Sequence, residues 1–150
     1  MTIGKVIETI DRLKNNRFKR EDKVRWLSEL DALIWQELII THEMPVCGCG
    51  EGWEGRENVE SVFPGYPEDA PDDTELLVKF PNDALYIRWL ESQIDLHNAE
   101  INKYNQSRAM FNSAYLTYTD WYNRTHMPKQ VSGFRFTEGR KGDKQDALST

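Results

Sequence analysis

Between Pro81 and Pro128 the chain contains neither proline nor glycine, and this long uninterrupted stretch limits the available folds more than any other feature. Within it Ile87, Leu90, Ile94, His97, Ile101, Tyr104, Arg108, Phe111, Tyr115, Tyr118 and Tyr122 follow one another at alternating intervals of three and four residues. That spacing puts them on one face of a helix. The pattern predicts a single helix over 83–125, roughly 65 Å long at 1.5 Å per residue. A globule of this chain length has a radius of gyration of about 15 Å. One end of such a helix should therefore project from its own core or bend back over it.

The seam changes character along its length. Its start is widened by a second row, Tyr86, Trp89, Gln93 and Leu96, which favours a core position for that end. Below it, aliphatic residues give way to Tyr104, Arg108, Phe111, Tyr115, Tyr118, Trp121 and Tyr122. Aromatic residues with one polar end suit a surface that meets another protein. They equally suit the core of the same chain, and both readings stand. The first makes these seven residues a candidate subunit interface.

The first helix is expected over about 3–14, with Thr2 as N-cap and Ile3, Val6, Ile7, Ile10 and Leu13 on one face. Asn15 and Asn16 suit a left-handed ending. A basic connector containing Phe18 leads to a second helix over about 21–40. Its seam of Val24, Leu27, Leu30, Ile34 and Leu38 is widened by Trp26, Leu33, Trp35 and Ile39, so it should pack centrally. Residues 41–82 are divided by prolines and glycines and form an irregular excursion. It contains one ordered turn with aromatic anchors, Phe63-Pro64-Gly65-Tyr66-Pro67, and one strand-like run, Thr74 to Phe80. The expected fold is all-α, with two N-terminal helices packed on one very long C-terminal helix in a helical domain over 1–128. Residues 129–150 form an extended or flexible arm.

Charge is unevenly spread. The net charge is −6, yet residues 41–83 alone hold eleven acidic and two basic side chains. Such a block repels phosphates, which argues against specific nucleic-acid binding. Hydrophobic content of 39% argues against wholesale disorder, and no apolar run is long enough to cross a bilayer. With no charged-then-apolar leader at Met1, the expectation is a protein made and kept in the cytoplasm.

Site chemistry is sparse. His42, Cys47 and Cys49 are the one set resembling metal ligands, but structural zinc sites generally use four ligands and space paired cysteines by two to four residues. No metal or other cofactor is expected. No phosphate-binding glycine loop or nucleophile turn is present, and Glu91, Asp95 and Glu100 with Arg88 and Lys103 read as ordinary surface pairing. The expectation is a protein without catalytic activity. In the arm, Val131, Phe134 and Phe136 alternate with polar residues, Arg135 among them, so this run suits addition as a strand to a partner's sheet edge.

Several segments together resemble small prophage-encoded proteins. These are Lys23-Val24-Arg25-Trp26-Leu27-Ser28-Glu29-Leu30-Asp31, the acidic stretch with Phe63-Pro64-Gly65-Tyr66-Pro67, Lys103-Tyr104-Asn105, and Trp121-Tyr122-Asn123-Arg124. By organisation the chain also resembles the head-to-tail connector, or adaptor, proteins of tailed bacteriophages. That resemblance implies a homo-oligomeric ring, twelvefold where it sits on a portal, at the head-tail junction of a virion. The long helix would supply subunit contacts, and Val131, Phe134, Arg135 and Phe136 would form a portal-docking arm. A tail or stopper protein would lie on the other side, and DNA would pass without specific binding. The alternatives are another head-completion or tail-assembly protein, and a small zinc-binding regulator or enzyme using His42, Cys47 and Cys49.

Overall fold

The computed structural model describes residues 1–42 and 62–129. Among them the chain is helical and contains no strand, only two isolated antiparallel bridges, so the all-α class holds. The first helix, α1 (Ile3–Leu13), buries Ile3, Val6 and Ile10, while Leu13 is exposed. Thr2 is extended and makes no side-chain cap; the backbone of the excursion serves instead. Ile3 N–H donates to Thr74 O and Gly4 N–H to Asp72 O, each at 3.0 Å, which satisfies donors that a helix start leaves free. The approach is close enough that a Cβ on Gly4 would lie 2.6 Å from Asp72 Cβ. At the other end the chain leaves α1 extended at Lys14, and neither Asn15 nor Asn16 takes the left-handed conformation expected of them. Asn16 instead donates from Nδ2 to Asp11 Oδ1 and Lys14 O, both at 2.9 Å.

The second helix, α2 (Arg20–Ile34), runs into one π-helical turn, Trp35–Ile39, closed by Ile40 N–H to Trp35 O. Val24, Leu27, Leu30, Ile34 and Leu38 are all buried, as their spacing predicts, and α2 contacts both α1 and α3. Of the excursion, 62–81 drapes over α1 and α2 and sends Ala70, Leu76 and Val78 into the core. The strand-like run forms a single bridge, Thr2 to Glu75. Gly65 has φ +79° and lies against Ser28, whose Oγ accepts from Tyr66 N–H, and Phe63 packs on both Tyr66 and Trp35.

The expected single helix over 83–125 is not formed. A 3-10 turn, Asn82–Ala84, opens α3 (Leu85–His97), the chain reverses at Asn98 to Glu100, and α4 (Ile101–Thr125) runs back antiparallel. Ala99, at φ 57°, sits in the left-handed region. Glu100 N–H donates to Asp95 O and Ala99 N–H to Leu96 O, which is the paired closure of a Schellman motif with alanine at the position usually held by glycine. Folding back lets both halves of the seam share one core. Leu90 and Ile94 from α3 and Phe111, Tyr118 and Tyr122 from α4 are buried together, while His97 and Ile101 are left exposed at the turn.

Asp95 fixes the register of this hairpin. It is buried, contrary to the surface pairing expected of it, and accepts from Ser107 Oγ at 2.8 Å and from Lys14 Nζ. One carboxylate thus joins the end of α1 to α3 and α4. At the other end of α4, Lys129 N–H donates to Thr41 O at 2.9 Å, and His42 pairs with Pro128.

Candidate functional site

The seven residues singled out as a subunit interface mostly serve the chain's own fold. Phe111 (3% exposed), Tyr118 (4%) and Tyr122 (8%) lie in the core. Tyr115 is half-buried, stacks on Phe111 and donates its hydroxyl to Glu37, tying α4 to the π-helical turn. Arg108 lies over the rings of Trp89 and Phe111, 5.1 Å from each centroid, and Tyr104 is half-buried in the first turns of α4. Only Trp121 turns a large part of its ring to solvent, at 40%, while stacking on Tyr118. Burial raises the Tyr115 and Tyr118 hydroxyls well above the ordinary tyrosine range, with Glu37 adding to the effect on Tyr115 and Tyr122 to that on Tyr118. Both remain neutral donors at physiological pH.

With that row turned inward, the opposite face of α4 is what the hairpin offers to solvent. Its exposed residues between Lys103 and Asp120 are Asn105, Gln106, Ala109, Met110, Asn112, Ser113, Leu116 and Thr117. None is charged, in a chain whose composition is 29% charged. Met110 and Leu116 are 50% and 62% exposed. The face shares with interface cores their depletion of charge and, at Met110, a residue type enriched there, while its remaining residues are mostly amides and hydroxyls. The face spans Asn105 to Thr117, about half of the 25-residue helix and about 20 Å at 1.5 Å per residue. The seam-based reading overlooked it, although Arg108 is the sole charge from Tyr104 to Thr119.

The arm residues Val131, Phe134, Arg135 and Phe136 lie outside the described residues, as do Cys47 and Cys49. His42 is described and buried. Its Nδ1 is 2.8 Å from Leu38 O, to which it donates, and its ring stands edge-on to Tyr122 at 5.2 Å. The imidazole is thus engaged in holding the end of α2 against α4. Among the described residues no three histidine, cysteine, aspartate or glutamate side chains gather as metal ligands would.

One buried polar cluster is absent from the sequence reading. Asp31, fully buried on α2, accepts from Tyr86 Oη on one oxygen at 2.5 Å and from Tyr66 Oη at 2.5 Å and Leu77 N–H at 3.2 Å on the other. Tyr86 Oη in turn accepts from Val78 N–H at 2.9 Å. Burial raises the Asp31 carboxyl above its ordinary value, and the two tyrosine hydroxyls and the Leu77 amide partly offset that rise. Every neighbour it has is a neutral donor, so the cluster binds the excursion to α2 and α3 and presents no nucleophile to solvent. Comparison with protein families, with curated proteins and with solved structures finds no match to this chain.

Proposed function

We propose that the chain is a structural subunit of a phage or prophage virion, a head-to-tail connector that works by assembly and without catalysis. The observation that carries this reading is the charge-free outward face of α4, which suits repeated contact between subunits better than solvent exposure does. In this arrangement α4 meets the neighbouring subunit through Met110, Leu116 and the amide residues between them. The aromatic row behind holds the helix straight on its own core. The finer architecture follows: the α3–α4 hairpin takes the place of one very long helix as the ring element. Val131, Phe134, Arg135 and Phe136 dock on the portal, and a tail or stopper protein binds the opposite side. The acidic stretch at 41–83 keeps passing DNA from adhering. The protein is made in the host cytoplasm and resides at the head-tail junction.

Affinity capture from the source lysate tests the reading, with the tagged full-length protein set beside a chain ending at Met127. Portal and tail components, identified by mass spectrometry, are expected with the full-length protein, and portal is expected to be lost with the shorter one. Recovery of portal by both chains overturns the arm assignment, and recovery of no virion component by either overturns the connector reading.

A further inference from the structure

At the end of the bundle where α1 meets α2 and α3 turns into α4 lies a cleft of about 420 Å3 lined by Asn15, Asn16, Arg17, Phe18, His97 and Asn98. We propose that this cleft binds an acidic peptide segment of a partner protein, with Arg17 taking a carboxylate and Phe18 taking the apolar side chain beside it. The inference goes beyond the connector reading and does not rest on it.

The cleft lies within the range of small-ligand sites and suits two or three side chains, not a folded surface. Its lining contains no carboxylate, and Asn15, Arg17 and Asn98 carry donors, whereas Asn16 Nδ2 is engaged by Asp11 and Lys14 and leaves only its Oδ1 without a partner among the described residues. His97 Nδ1 donates to Gln93 O at 2.8 Å, so Nε2 can donate to a carboxylate only in the imidazolium form. Phe18, Trp26 and His97 pack edge to face and tilted, with centroids 4.8 to 5.9 Å apart, and make an aromatic floor.

The electrostatics select the sign of the ligand. Residues 11–20 hold five basic side chains and one acidic one, in a chain of net charge −6. Most acidic groups nearby are engaged, Asp11 by Lys23, Asp95 by Lys14, Asp72 by Arg20, Glu100 by Lys103 and Asp22 by Arg25, while Glu21 lies exposed in the first turn of α2. Arg12, Arg17 and Lys19 are exposed and form no ion pair among the described residues. The starts of α2 and α4 and the ends of α1 and α3 all flank the cleft, so helix dipoles favour neither sign of ligand and the selection falls to Arg17. A guanidinium fork matches a carboxylate in two parallel hydrogen bonds. One arginine in the lining suits one carboxylate at a time, whereas a polyphosphate chain would continue onto the acidic surface beyond Arg20.

The test uses isotope-labelled full-length protein titrated with the peptide acetyl-Ala-Asp-Leu-Glu-Ala-amide, with its Asn and Gln counterpart, and with inorganic phosphate. Saturable NMR shifts at the Asn15, Asn98 and His97 side chains are expected with the acidic peptide and absent with the amide counterpart. Arg17→Gln should weaken the acidic peptide about tenfold or more, since hydrogen bonds to a charged group contribute about 1.5–3 kcal/mol. Lys5→Gln, which removes the same charge from an exposed position on α1, should leave affinity unchanged. Equal binding of the amide peptide, equal losses in the two variants, or phosphate saturating the same signals at lower concentration than the peptide would each overturn the proposal.

Discussion

Asp31 shows how far a single side chain can govern a fold whose connections are irregular. It is a carboxylate without a cation, held by Tyr66, Tyr86 and the Leu77 amide, and the segment supplying two of those donors has no regular structure of its own. Replacement by alanine leaves one buried and two half-buried donors without their acceptor and should cost about 3 kcal/mol, read by urea unfolding. Asn keeps the shape and one acceptor and should cost less. Because burial raises the folded-state carboxyl above the ordinary 3.8, the folded protein holds this proton more tightly than the unfolded chain does. Its contribution to stability is fully present below the unfolded value and is lost as pH rises through the raised one. The stability difference between wild type and Asp31→Asn should therefore shift against wild type as pH rises through that window, and a flat difference would refute the assignment.

At the scale of elements, the reversal at Asn98 to Glu100 decides the architecture, and it relies on an alanine in a left-handed conformation. Ala99→Gly should stabilise the protein by about 1 kcal/mol by removing the Cβ contact, provided the Schellman closure is retained. Thermal or urea unfolding measures this, and a loss of stability would mean that the gain of unfolded-state freedom outweighs the strain. This turn also marks where sequence reasoning stops. The helices α1 and α2 were legible because Ile3, Val6 and Ile10, and Val24, Leu27, Leu30 and Ile34, recur at helical spacing on either side of a polar connector. From Ile94 to Ile101 the seven-residue interval keeps the helical phase, so periodicity runs through the turn undisturbed and no Gly or Pro signals it. Spacing likewise identified Phe111, Tyr118 and Tyr122 as one face, but could not say whether the surface opposite belonged to this chain or another. Asp95 read as surface pairing and Asp31 drew no reading of its own, because the partners that allow their burial, Tyr66, Tyr86 and Ser107, lie elsewhere in the sequence.

For the whole molecule, the proposed reading assigns folding to the inward aromatic face of α4 and assembly to its outward charge-free face. Met110→Glu with Leu116→Glu places two carboxylates on the outward face without touching the core. Unfolding midpoints should stay close to wild type, as they do for substitutions away from buried features. Mass measured by light scattering, alone or with purified portal, should fall from that of the assembly to that of one chain. If the doubly substituted protein assembles as wild type does, the outward face is not the contact. The backbone pairing of Thr41 with Lys129 and of His42 with Pro128 has a different consequence. It ties the C-terminal end of α4 to the residues just past the π-helical turn, so fraying of either end should loosen both, read by amide hydrogen exchange at Lys129.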